Sequence, residues 1–89
     1  MLRLFRENAA QQIRAIEIAI ENRQSAEVRQ AAHSLKSTAA NIGAAPLAEL
    51  ARNLEHAARD NTLAFDSRIA ESLQTAYKAI LQQLPAATL

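Results

Sequence analysis

The stretch Val28-Arg29-Gln30-Ala31-Ala32-His33-Ser34-Leu35-Lys36-Ser37-Thr38-Ala39-Ala40-Asn41-Ile42-Gly43 places Val28, Ala32, Leu35, Ala39 and Ile42 at alternating steps of four and three residues. That spacing repeats the pitch of an α-helix and gathers the aliphatic side chains on one stripe. Gly43, the chain's only glycine, comes directly after the stripe. It suits the left-handed conformation that closes a helix, and Pro46 suits the first turn of the next one.

The same pattern extends on both sides. Upstream, Leu2, Phe5, Ala9, Ile13, Ile16 and Ile20 form a stripe, and Arg3, Arg6, Glu7, Arg14, Glu17 and Glu21 fill the remaining faces. This predicts one long helix ending near Asn22 and Arg23. Ser25 is the expected N-cap of the following helix, with Glu27 in its first turn, where the helix dipole favours an anion. Downstream, Leu47, Leu50, Ala51, Leu54 and Ala58 form the inner face of a third helix, and Asp60, Asn61 and Thr62 end it. Phe65, Ile69, Leu73, Ala76, Ile80 and Leu84 recur at helical spacing in a fourth, before Pro85 and a small-residue tail expected to fray. Short links make successive helices antiparallel neighbours. The fold expected is therefore all-α, an antiparallel up-down-up-down four-helix bundle, as a single domain over residues 1–89.

Composition narrows the function. The 89 residues are rich in Ala, Leu and Ile, with two Phe, one Tyr and no Trp, which is helix-forming chemistry. Ten basic and nine acidic side chains give a formal charge of +1, without the cationic excess of a nucleic-acid binder. Phe65 and Tyr77 are expected in the core rather than as a base-stacking platform. The absence of Cys excludes a disulfide scaffold and a thiolate metal site and suits the cytoplasm, and two His offer no ligand cluster. No apolar run approaches the ~18 residues of a membrane span, and residues 1–6 read as an amphipathic helix rather than a signal peptide. No direct membrane contact is expected.

One polar residue stands out by position. At ~100° per residue, His33 lies ~160° from Leu35, facing water, and Arg29, Lys36, Ser37 and Ala40 fall within ~60° of it. A lone surface histidine is ordinarily only a solvated side chain. Here a lysine one turn away can pair with an anion on the ring, and the small side chains of Ser37 and Ala40 leave room for another protein. Imidazole is partly unprotonated near neutral pH and nucleophilic, so it can take a phosphoryl group without a buried general base. His56, with Arg59 rather than Lys three residues on, is expected to be a surface residue without a role. The chain offers no Gly-rich phosphate loop, acidic Mg²⁺ cluster or nucleotide fingerprint.

The run Ala32-His33-Ser34-Leu35-Lys36-Ser37-Thr38-Ala39-Ala40-Asn41-Ile42-Gly43 resembles the signature of histidine-containing phosphotransfer (HPt) domains, Ala-His-x-Leu-Lys-Gly-x-Ala/Ser-x-x-Leu/Ile-Gly. Leu47, Leu50, Ala51, Leu54 and Glu55 are similar to that family's third helix, and the helix layout matches over nearly the whole chain. The resemblance implies that His33 is the phosphoacceptor, Lys36 stabilises the phosphoryl group, and Gly43 turns the chain out of the helix. Ser37 departs from the pattern, which most often has Gly there, and is read as a tolerated variant. Arg29, Ser37 and Ala40 are the expected partner-binding residues. Arg29 either supports the phosphoryl group from the preceding turn or simply solubilises the helix.

By the same resemblance, the partners are response-regulator receiver domains, in cis or in trans. Transfer between an aspartyl phosphate and His33 is reversible, and the receiver supplies Mg²⁺, so no cofactor is bound by this chain. Such a protein is a carrier without kinase activity, active in the cytoplasm in two-component signalling and expected to be a monomer. The chain is either a free-standing phosphotransfer protein or, the expected context, a domain from the C-terminus of a hybrid sensor histidine kinase anchored in the inner membrane. The rival reading is a helical interaction or dimerisation module, in which His33 does nothing.

Overall fold

The computed structural model describes residues 2–83, with side chains from Arg3 onward. It contains α1 (Leu2–Glu21), α2 (Ser25–Asn41), α3 (Ala45–Arg59) and α4 (Ser67–Gln83). The chain forms the expected all-α four-helix bundle, and no strand occurs among the described residues. Leu84, Pro85 and the tail lie outside the described residues, as does the side chain of Leu2.

The first three helices end by one device. After α1 the N–H of Gln24 donates to Ala19 O (2.9 Å) and that of Arg23 to Ile20 O (3.1 Å). After α2, Ala44 donates to Ala39 O (2.9 Å) and Gly43 to Ala40 O (3.1 Å), and after α3, Thr62 donates to Ala57 O (2.9 Å). Each closure needs one residue in the left-handed region: Arg23 (φ 55°), Gly43 (φ 73°) and Asn61 (φ 58°). These bonds satisfy carbonyls that a helix C-terminus would otherwise leave without partners.

Two helix starts differ from expectation. Gln24, not Ser25, occupies the N-cap of α2, without a side-chain capping bond, and Ser25 is already helical. The cause is the short link: the N–H of Gln24 closes α1, so the chain re-enters a helix at the very next residue. α4 begins at Ser67, so Phe65 stands in the link 60–66 and not on the helix. Asp66 makes the boundary, its Oδ1 accepting the N–H of Arg68 (3.0 Å) and its carbonyl that of Ile69 (3.1 Å). Those contacts satisfy donors that an unstarted helix exposes.

The core joins Phe5, Ala9, Ile13, Ile16 and Ile20 of α1 to Val28, Ala32, Leu35 and Ala39 of α2. Leu47, Ala51, Leu54 and Ala58 of α3 complete three of its sides, and α4 contributes one fully buried residue, Leu73. Ile42, Leu50, Phe65, Ile69, Ala76 and Ile80 pack at the margin, partly buried. Tyr77 does so too, its ring 6.2 Å from that of Phe5 and its hydroxyl donating to Arg6 O at 3.1 Å. Helix α2 is packed most closely, against α3 and α1, whereas α4 touches α1 and α3 lightly. With two faces of α2 fixed by neighbours, its third is presented to solvent.

Candidate functional site

His33 stands at the middle of that exposed face, its side chain 62% accessible. Arg29, Ser37 and Ala40, on the adjacent turns, are exposed as expected. The hydroxyls of Ser34 and Thr38 are turned back to the carbonyls of Gln30 and Ser34 (3.3 and 3.0 Å). Gly43 lies two turns or more beyond, shaping the exit from α2. His56 is exposed in the last turn of α3 and does not line the groove that contains His33.

The antiparallel register of α2 and α3 sets Glu55 opposite His33. One carboxylate oxygen, Oε2, lies 2.7 Å from His33 Nδ1, and the other, Oε1, accepts from Lys36 Nζ at 2.7 Å. Glu55 is 16% exposed, so this carboxylate bridges the two α2 side chains from a mostly covered position. The Lys36 bond holds its carboxyl below the ordinary carboxylate range; burial opposes this, and the His33 bond adds to it. An ionised carboxylate only accepts hydrogen bonds, so Nδ1 carries the ring proton and donates it. In the neutral ring this leaves the lone pair on Nε2. A histidine with one nitrogen pinned to a carboxylate is held in a single tautomer and ring orientation.

Lys36 differs from its expected place. The helical wheel puts it in water, but its side chain is only 31% accessible because its ammonium reaches back over the α2–α3 seam to Glu55. A long aliphatic stem lets a residue at the edge of a buried stripe cover its neighbours while its head finds a polar partner.

Sequence reading placed Glu55 only within a run similar to a third helix and gave it no role. A signal was present: Glu55 follows Leu54 and comes four residues after Ala51, so it borders the buried stripe. An acidic residue at such an edge calls for a cationic or hydrogen-donating partner on the facing helix. Arg59, one turn further along α3, was likewise missed. It shares a surface groove with Ala26, Arg29, Gln30, His33, Ser34 and Glu55. Among the described residues, no group of three or more His, Cys, Asp and Glu side chains is arranged to hold a metal ion.

This arrangement can present an oriented, accessible nucleophilic nitrogen to another molecule. The family model described as Hpt domain matches residues 1–86. No curated protein and no solved structure gives a match. With the match spanning nearly the whole chain, and an exposed histidine fixed at the centre of its second helix, the protein belongs to the Hpt domain family, whose members carry phosphoryl groups on histidine in two-component phosphorelays.

Proposed function

We propose that this chain is a phosphorelay carrier whose phosphoacceptor atom is His33 Nε2. The observation that carries the proposal is the 2.7 Å contact between His33 Nδ1 and Glu55, which occupies one ring nitrogen and leaves the other as the nucleophile. In the forward step the Nε2 lone pair attacks the phosphorus of a receiver's aspartyl phosphate. As the Nε2–P bond forms the P–O bond breaks, and its electron pair leaves with the aspartate carboxylate. The proton on Nδ1 stays where it is, and the positive charge that develops on the ring faces the Glu55 carboxylate. Glu55 is thus a positioning residue, acting through the imidazole. The reverse step delivers the phosphoryl group to a second receiver.

Positioning and charge neutralisation are most of what phosphoryl transfer requires. Lys36 supplies positive charge beside the ring. The exposed face around Arg29, Ser37 and Ala40, with part of α1, receives the receiver domain, whose own groups bring Mg²⁺ and the aspartate. Small side chains there allow close approach, and a contact of limited area suits an encounter that must also dissociate. The chain has no kinase activity of its own in this reading, and the relay runs in the cytoplasm. No helix among the described residues is long and apolar enough to cross a membrane.

Incubation with a phosphorylated receiver domain and Mg²⁺ tests the assignment. The chain should acquire an acid-labile, alkali-stable label, and His33→Gln should abolish it while the far-ultraviolet helical signal persists. Undiminished labelling of that variant assigns the chemistry elsewhere.

A further inference from the structure

The register that sets His33 against Glu55 sets Arg29 against Arg59 one turn away, because Arg29 precedes His33 by four residues and Arg59 follows Glu55 by four. Both arginines line the groove that contains His33, and both are exposed. Among the described residues, neither arginine forms an ion pair with a carboxylate of the facing helix. Arg59 is engaged through Nε by its sequence neighbour Asp60 (3.2 Å), which leaves its terminal nitrogens without an ion-pair partner. Among the described residues Arg29 has no carboxylate within 4.0 Å. Two like charges facing each other across a groove repel, and an anion between them reverses the sign of that interaction.

The charge around His33 points the same way. Lys36 is bonded to Glu55, which already offsets part of its charge. A phosphoryl group on the ring adds negative charge that Lys36 alone therefore does not fully offset. Each arginine is a single helical turn, about 5.4 Å, from the His33–Glu55 rung, within reach of its long side chain. A guanidinium fork matches phosphoryl oxygens better than any other side chain.

Resting on the assignment of His33 as phosphoacceptor, we propose that Arg29 and Arg59 form a two-armed clamp for the phosphoryl group carried on His33. The clamp stabilises the loaded carrier between its two receivers. Spontaneous hydrolysis passes through a loose transition state in which the phosphoryl group resembles metaphosphate. Ion pairs to its oxygens in the ground state therefore lengthen the lifetime of the phosphohistidine.

Loading the protein with potassium phosphoramidate tests this without any receiver: the P–N bond of the reagent breaks as the bond to Nε2 forms, and ammonia leaves. On loading, the Nε–H resonances of Arg29 and Arg59 should shift in the wild-type protein. The phosphorus signal of phosphohistidine should decay about threefold faster in Arg29→Gln and in Arg59→Gln, and about tenfold faster in the double variant. Lysine at both positions should restore part of the lifetime. Unmoved arginine resonances, or an unchanged lifetime in the double variant, overturn the clamp. If the double variant slows only transfer from a receiver, the arginines serve docking and the clamp is likewise overturned. Failure of His33 to take any label removes the phosphoacceptor assignment and the clamp together, whereas label with an unaltered lifetime removes the clamp alone.

Discussion

Glu55 touches both His33 and Lys36 at once, and its ionisation makes that arrangement sensitive to acid. Its carboxyl is held below the ordinary value of 4.5, chiefly by Lys36. The unfolded chain therefore binds the Glu55 proton more tightly than the folded one, and stability rises with pH between the two values. The contribution of this bridge should be complete above about pH 4.5 and be lost as pH falls below that through the lowered folded value. Urea titrations between pH 7 and 3 should show this acid limb in the wild type and a flatter one in Glu55→Gln. Lys36→Ala should flatten it as well and cost about 1 kcal/mol at neutral pH, a figure kept small because solvent still screens the pair. An equal acid limb in all three proteins contradicts the bridge. His33 and Lys36 were legible in the sequence because both lie within a dozen residues of local pattern. Glu55 joins them from 22 and 19 positions away, and no local spacing encodes a partner on another helix.

The ends of the first three helices were placed from the sequence, but the left-handed angle that closes each was legible only where a residue type reports it directly. Gly43 announced the end of α2, but Arg23 adopts the same left-handed angle with nothing in its chemistry to suggest it. The guanidinium of Arg23 lies 5.9 Å from the centroid of Phe65, a contact that offsets part of the backbone cost. Ser25 carries a capping chemistry that goes unused, because the closure of α1 consumes the residue before it. A β-carbon on Gly43 would meet nothing within 4 Å, so Gly43→Ala isolates the cost of the angle itself. It should destabilise the fold by about 1 kcal/mol in thermal or urea unfolding, with no change in the α2–α3 packing that holds His33. A neutral substitution shows that the turn tolerates another geometry.

Across the whole molecule, packing is uneven: α1, α2 and α3 share nearly all of the buried core, and Leu73 is the one α4 residue fully inside it. Stripe periodicity foretold which faces turn inward in all four helices. It could not foretell how tightly each would be held, because a stripe at the margin of the core reads the same as one at its centre. The site depends on the α2–α3 seam, so loosening α4 should leave its geometry in place. Leu73→Ala should cost about 2–3 kcal/mol, and amide exchange should accelerate first in α4 while amides around His33 stay protected. Uniform acceleration in all four helices contradicts this division. Tyr77 makes the same division visible to light. It is the chain's only tyrosine, no tryptophan outshines it, and its hydroxyl is bonded to a carbonyl of α1. Its ultraviolet emission therefore gauges a single seam, that between α1 and α4, and can be read in real time against circular dichroism from the whole bundle.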